Sequence, residues 1–450
     1  FNRWADDLPV WTHQTTGAEQ LFEVERFRAA TVADRLRPLQ TDAKEPLLEV
    51  VLHVPDRFII DGFEAYLATL NLRADLDRRY EAGSLCFLPL RSPRELLEQI
   101  ARFSFLRVVR EMPRLRPLRP VSRSFPGLQP FDCALPAATP LDRRVKAVVF
   151  DGGLPANSGL DTWVTATDGE NVKDAVPEYL EHGLAVTSAL LFGPLTAGTP
   201  LPRPFAQIEH VRVLDKDSDQ DEDLYDVLPR IRKVLESGKY QFVNLSIGPY
   251  LPIEDNDVHA WTVMLDQHLA KGHALATIAV GNSGHLDRAT GNARVQVPSD
   301  CVNAVAVGAC DRRGQGWRRA SYSSLGPGRS PGLVKPDILS FGCWDGEPYW
   351  VLDATQLGRA APTFGTSFAT PSVLRMALGV RAHFGSVLSP LALRALLIHG
   401  AEDDGLDRHE VGWGRVPDDL PELVTCPDGM ARVIYQGELK ASEAIRALIP

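Results

Sequence analysis

Between residues 145 and 309, five short and almost uninterrupted apolar runs recur, and this recurrence constrains the fold more than any other feature of the chain. The runs are VKAVVFD (Val145–Asp151), IEHVRVLD (Ile208–Asp215), YQFVNLSIG (Tyr240–Gly248), ALATIAVGN (Ala274–Asn282) and VNAVAVGA (Val302–Ala309). A strand with one wet face alternates apolar and polar residues. A continuous apolar run signals burial on both faces, as in a parallel sheet covered by helices. Helical spacing lies between the runs, at Leu224–Glu236 and Asp257–Lys271. The expected architecture is α/β, a doubly wound parallel sheet with its function gathered at the carboxyl ends of the strands. Asp151 and Asn282 stand at two such ends.

A different rhythm precedes this region. Residues 1 to about 45 are polar, with one short helix expected around Thr31–Arg37, stopped by Pro38. Leu48–Val54 reads as a strand, Ile59–Leu70 as a helix and Ser84–Leu90 as a second strand. A helix from Ser92 to Phe103 follows, with Ser92 and Glu95 at capping-box spacing, and then a strand at Phe105–Met112. That order predicts a small α+β domain over residues 1–112. Repeated prolines over residues 113–140 remove backbone donors, so 113–143 reads as an extended, solvated linker. Residues 144–420 hold the parallel-sheet domain. Residues 421–450 carry a strand-like stretch, Met430–Leu439, the expected start of a β extension.

The 450 residues carry a formal net charge of −10, which argues against a phosphate-binding surface and so against nucleic acid as a partner. Six cysteines without a CxxC spacing fit small buried apolar residues in a reducing, cytoplasmic setting. The opening FNRWADDLPVW has no signal-peptide pattern, and no apolar run approaches the roughly 20 residues that cross a bilayer, so no membrane is expected. In DKDSDQDED (Asp215–Asp223), Gln220 stands where a calcium loop needs its turn glycine. A solvated acidic loop is the expectation there, and neither metal nor cofactor is expected.

Four residues carry candidate chemistry, and each has an ordinary alternative. Asp151 precedes Gly152 and Gly153, so it can orient a histidine or simply form a turn. His182, in EYLEHGLAVTSALLFG, is expected at the start of a helix packed on the sheet. Ser367, in PTFGTSFATPSVLRMALGV, follows Gly365 at the start of an apolar helix, where free N–H groups and positive potential favour an oxyanion. A helix cap is the plainer reading. Asn282, before Ser283 and Gly284, can donate its side-chain amide to an oxyanion or sit in a turn.

Taken together in the order Asp, His, Asn, Ser on an α/β chain, these motifs resemble the subtilases. VRVLD (Val211–Asp215), VNLSIG (Val243–Gly248), AVGNSG (Ala279–Gly284), SSLGP (Ser323–Pro327), KPDI (Lys335–Ile338) and GWGRV (Gly412–Val416) match the same pattern, over about residues 144–420. There are departures. DGG stands where a hydroxyl residue is commoner after the Asp. HGLAVTS stands where HGTHVAG is usual, so the second histidine is missing and Thr187 replaces a small residue. Phe368 stands where Met is frequent.

The resemblance implies a serine endopeptidase with Asp151, His182 and Ser367 as its triad and Asn282 as an oxyanion donor. It implies substrate-pairing edges at Ser246, Ile247 and Gly248 and at Ala279, Val280 and Gly281, with Gln296 of VQVP near the base of the primary pocket. By element order alone, residues 1–112 resemble the propeptide-like domains of the family, which help folding and can block the active site. The chain also looks like cytosolic bacterial subtilases paired with AAA ATPases in phage defence. The partners so implied are a protein or peptide substrate and a regulatory protein such as an AAA ATPase. A pseudoprotease acting as a binding protein stays open as the alternative.

Overall fold

The structure, a computed structural model, describes residues 30–116, 128–217, 224–343, 347–426, 428–440, 442–444 and 446. It opens on α1 (Val32–Arg35), shorter than expected, with Thr31 and Asp34 forming a capping box. Then come β1 (Leu47–Leu52), α2 (Arg57–Thr69), β2 (Tyr80–Ala82), β3 (Leu85–Arg91), α3 (Leu97–Ile100) and β4 (Leu106–Glu111). The four strands form an antiparallel sheet in the order β2-β3-β1-β4. The single strand expected at Ser84–Leu90 is half of a hairpin. Gly83 and Ser84 turn between its strands with φ of 58° and 61°, a tight turn whose twist suits paired strands. The helix expected over Ser92–Phe103 shrinks to a 3-10 turn, Arg94–Leu96, and α3. Ser92 does not cap it, because its hydroxyl donates instead to the Pro93 carbonyl at 3.0 Å.

The rest of the chain supplies β5 (Phe131–Asp132), β6 (Asp142–Asp151), β7 (Val164–Asp168), α4 (Pro177–Phe192), β8 (Ala206–Arg212), α5 (Val227–Glu236) and β9 (Phe242–Leu245). It continues through α6 (Ala260–Leu269), β10 (Leu275–Ala279), β11 (Val305–Cys310), β12 (Ile338–Phe341), β13 (Tyr349–Leu352), β14 (Arg359–Thr363) and α7 (Thr366–Phe384). A wholly parallel seven-stranded sheet runs in the order β12-β11-β10-β9-β6-β8-β7 and contains all five apolar runs. From β6 the chain moves outward to β7, returns to β8 and then crosses to β9, β10, β11 and β12 on the other side. The boundary of β6 and β9 is thus a topological switch point, where a crevice opens beyond the strand ends.

Alternation along β6 divides the core. Ala147 and Val149 pack in the layer under α4 and α7, and Val148 and Phe150 in the layer with α5 and α6. The second layer continues into the four-stranded sheet, where Val51, Phe87 and Val108 share a core with Trp261 and Met264. On the far side of β1, Leu48, Val50 and Leu52 pack with Ile59 and Phe63 of α2. The alternation leaves Glu49 facing α5 and α6, fully buried. Its carboxylate accepts from Arg110 Nε and from the Tyr225 hydroxyl, each at 2.6 Å, and lies 3.3 Å from His259 Nε2. Burial alone would raise this carboxyl, but the Arg110 guanidinium, with His259 and Tyr225, holds it well below the usual range. Arg107 bonds Asp257 at 3.0 Å and Arg37 pairs with Glu254 and Asp257 at the same seam.

Three further expectations change. The described start of the proline-rich segment is not a solvated linker, since Pro113, Leu115 and Arg116 are buried; residues 117–127 lie outside the described residues. Met430–Leu439 forms no strand: it pairs with none of the three sheets and makes side-chain contacts such as Gln436 with the Ser389 N–H at 3.0 Å. Asp215 is not solvated. It is buried and bonded by Arg230 at 2.9 Å, while residues 218–223 of that loop lie outside the described residues. No disulfide joins the six cysteines; five are buried and Cys426 is half-buried. Among the described residues no helix is long and apolar enough to cross a membrane.

Candidate active site

Asp151 is the last residue of β6 and is fully buried at the switch point. Its Oδ1 accepts the Gly152 N–H at 2.7 Å and meets His182 Nδ1 at 2.8 Å. An oxygen that is already an acceptor requires the hydrogen on Nδ1, which leaves Nε2 with its lone pair free. His182 is not at a helix start, as expected from the sequence, but in the second turn of α4. Pro177 begins that helix, because a residue without an N–H loses nothing at the first position.

Two glycines bring the aspartate turn against this helix. A Cβ at Gly183 would lie 2.0 Å from the Gly153 carbonyl oxygen, and one at Gly152 would lie 2.6 Å from that of Tyr179. The DGG spelling follows from this packing, since a side chain after Asp151 would strike α4. Gly183→Ala is therefore expected to lower stability by about 1–3 kcal/mol, the usual cost of overpacking a core that must shift. A lowered midpoint of unfolding in urea, with an unchanged slope, is the check.

Ser367 is the second residue of α7, whose N-cap Gly365 has φ 145°, a conformation open to glycine. The half-buried hydroxyl donates to the Ser246 carbonyl at 3.4 Å and, among the described residues, makes no hydrogen bond to His182. Phe368 packs beside the His182 ring, with centroids 6.0 Å apart. Below Ser367 runs a buried chain of bonds: Thr277 to Asn244 at 3.2 Å, Asn244 to Ser246 at 3.1 Å, and Ser246 to the Ser367 carbonyl at 2.9 Å. The sequence reading passed over Asn244 and Thr277. Their signal was polarity inside apolar runs, visible in VNLS and ATIA.

Asn282 is exposed beyond β10, and its Oδ1 accepts both the N–H and the hydroxyl of Thr366, at 3.1 and 3.0 Å. A backbone N–H can only donate, so the contacting atom is the oxygen. The amide NH2 is left to donate elsewhere, beside the N-terminus of α7.

Ser246, Ile247, Gly248, Ala279, Val280, Gly281 and Gln296 are all buried. Residues 114–116 lie antiparallel to 248–250: Arg116 N–H donates to the Gly248 carbonyl at 3.0 Å, Tyr250 N–H to that of Arg114 at 2.7 Å, and Leu115 stands opposite Pro249. The Arg116 side chain runs between the two edges and donates to the carbonyls of Gly248 at 3.3 Å and Ala279 at 3.1 Å. Burial without a carboxylate pushes this guanidinium down to about 10. The second edge is less open than expected. The Val280 carbonyl already accepts from Gln296 N–H at 2.9 Å and that of Gly281 from Ser324 N–H at 3.0 Å. The Gln296 amide donates to Ser283 at 2.5 Å, and its oxygen lies against Gly281. Among the described residues no group of three or more His, Cys, Asp or Glu could hold a metal ion.

A family model described as the subtilase family matches residues 109–414. Among solved structures, a serine-to-alanine variant of the epidermin leader peptide processing serine protease of Staphylococcus aureus is similar at 15% identity and a TM-score of 0.55, over 84% of this chain and 99% of that one. The same enzyme without the substitution is similar at 16% identity and a TM-score of 0.52, over 85% and 98%. A lanthipeptide protease follows at 20% identity and a TM-score of 0.49, over 63% and 88%. At such identities the likeness concerns the fold alone. No curated protein matches the chain.

Proposed function

Since this chain belongs to the subtilase family of serine endopeptidases, we propose that it hydrolyses peptide bonds through Asp151, His182 and Ser367. The observation that carries this reading is the 2.8 Å bond between Asp151 and His182 Nδ1 at the switch point. That bond leaves Nε2 available as the base, and Phe368, the neighbour of Ser367, packs beside the same ring. His182 takes the proton of the Ser367 hydroxyl as the oxygen attacks a peptide carbonyl, then returns it to the leaving amine. Asp151 fixes the tautomer and stabilises the imidazolium. The Asn282 amide and the Ser367 backbone N–H hold the tetrahedral oxyanion. Labelling by a fluorophosphonate probe tests the reading: wild type should label and Ser367→Ala should not. No labelling of wild type would favour the pseudoprotease alternative.

The oxyanion role has its own check. Asn282→Asp keeps an oxygen for the Thr366 N–H but gives up the donor. The turnover number should fall by about 10²–10³-fold with KM little changed, a magnitude established on the corresponding asparagine of subtilisin. A loss confined to KM would remove Asn282 from that role.

The N-terminal unit (residues 1–112) we read as a propeptide-like domain that restrains the catalytic domain (144–420) in cis. Support comes from residues 114–116, which pair with the 248–250 edge as an extended peptide would, with the Arg116 guanidinium bonded to the Ala279 carbonyl. Six cysteines without a disulfide support a reducing, cytoplasmic setting. A regulatory protein such as an AAA ATPase would act by displacing this restraint.

A further inference from the structure

His210 lies in the middle of β8, in the run IEHVRVLD, and is fully buried. In the sheet it stands beside Val149, two residues before Asp151 along β6, on the face covered by α4. An imidazole in an otherwise apolar layer needs partners for both nitrogens, and it has them. Gly153 N–H points at Nε2 over 3.1 Å, and Thr187 Oγ1 lies 2.9 Å from Nδ1. The backbone N–H can only donate, so Nε2 is the acceptor, Nδ1 carries the hydrogen, and the tautomer is unique. Burial pushes the ring down to about 4, Asp151 opposing and His182 reinforcing the shift, so it is neutral where the protease would work. One bond therefore reaches the turn that presents Asp151, and the other reaches α4, which presents His182.

We propose that His210 is a positioning residue for the catalytic dyad, clamping the Asp151–Gly153 turn to the histidine helix through Gly153 and Thr187. The clamp is needed because the turn is made of glycines and, among the described residues, Asp151 Oδ2 has no hydrogen-bond partner of its own. The Asp151 carboxyl is thus aimed by the backbone on either side of it: Val213 N–H holds the Asp151 carbonyl at 2.9 Å, and His210 holds Gly153. The clamp also accounts for Thr187, which stands where the family motif has a small residue, as the partner of this imidazole. The inference rests on the proposed triad.

Two substitutions separate the two bonds. In His210→Gln the side-chain oxygen reaches the Nε2 position and can accept from Gly153. In His210→Asn the amide occupies the Nδ1 position and can donate to Thr187, but Gly153 N–H loses its acceptor. The first readout is the low-field proton resonance of His182 Nδ1–H in the full chain, identified by its loss in Asp151→Asn. The second is the rate of fluorophosphonate labelling at Ser367. His210→Asn should shift or broaden the resonance and slow labelling by roughly 10–100-fold, the cost of about an ångström of misplacement. His210→Gln, which keeps the Gly153 bond but gives up the one to Thr187, should disturb the resonance less than His210→Asn and label at a rate between that variant and wild type. A folded His210→Asn with wild-type resonance and labelling rate overturns the proposal. If that variant does not fold, Thr187→Val decides, since releasing Nδ1–H must disturb the same resonance and an undisturbed one refutes the clamp. The resonance reports on the Asp151–His182 bond even if Ser367 never labels, so failure of the clamp and failure of the triad are told apart.

Discussion

Ser367→Ala is expected to lower the turnover number on a fluorogenic peptide mixture by about 10⁶-fold, a magnitude established on subtilisin itself. Little else should change. The hydroxyl makes one long bond, to the Ser246 carbonyl, while the Ser367 backbone stays anchored by Ser246 Oγ and by the turn at Gly365. Unfolding should move by only a few tenths of a kcal/mol, as for the loss of a weak, half-buried contact. What remains is the catalysis of the oxyanion donors and of binding, about 10³–10⁴ over water. Turnover close to wild type would place the nucleophile elsewhere.

Glu49→Ala should loosen the N-terminal sheet from α5 and α6 by up to about 3–5 kcal/mol, because it leaves the buried Arg110 guanidinium with only the more distant Glu254 carboxylate, 3.7 Å away. Because residues 114–116 continue directly from β4, their pairing with 248–250 should open with it. Hydrogen exchange in β1 and β4 and the labelling rate at Ser367 should both rise. The native Glu49 pKa lies below its unfolded value of about 4.5. Its contribution is thus fully present above that value and is lost as pH falls below it. Acid should loosen the wild-type interface, whereas Glu49→Gln should remove this part of the pH dependence. Exchange in β1 unaltered by Glu49→Ala would mean that the hydrophobic contacts around Trp261 hold the sheet alone.

Much of the fold was legible because it is encoded locally. A strand buried on both faces must be apolar throughout, so the five runs announced the parallel sheet before any contact was known. β7 and β12 escaped that reading: VTATD is an edge strand with mostly solvated side chains, and ILSF is too short to stand out. Met430–Leu439 misled for the opposite reason, since β-branched residues propose a strand but only a neighbouring edge can make one.

The sequence by itself determined the order of the motifs, the glycines that allow a tight turn after Asp151, and the helix start that presents Ser367. These depend on residues a few positions apart. Only the tertiary structure decided that His210 closes on Gly153, that Glu49 meets Arg110 and Tyr225, and that Arg116 lies across Gly248 and Ala279. Each joins residues 57 to 176 positions apart. A buried polar group must find a partner, but nothing local says which, because that choice is made when separate strands and helices pack into one core.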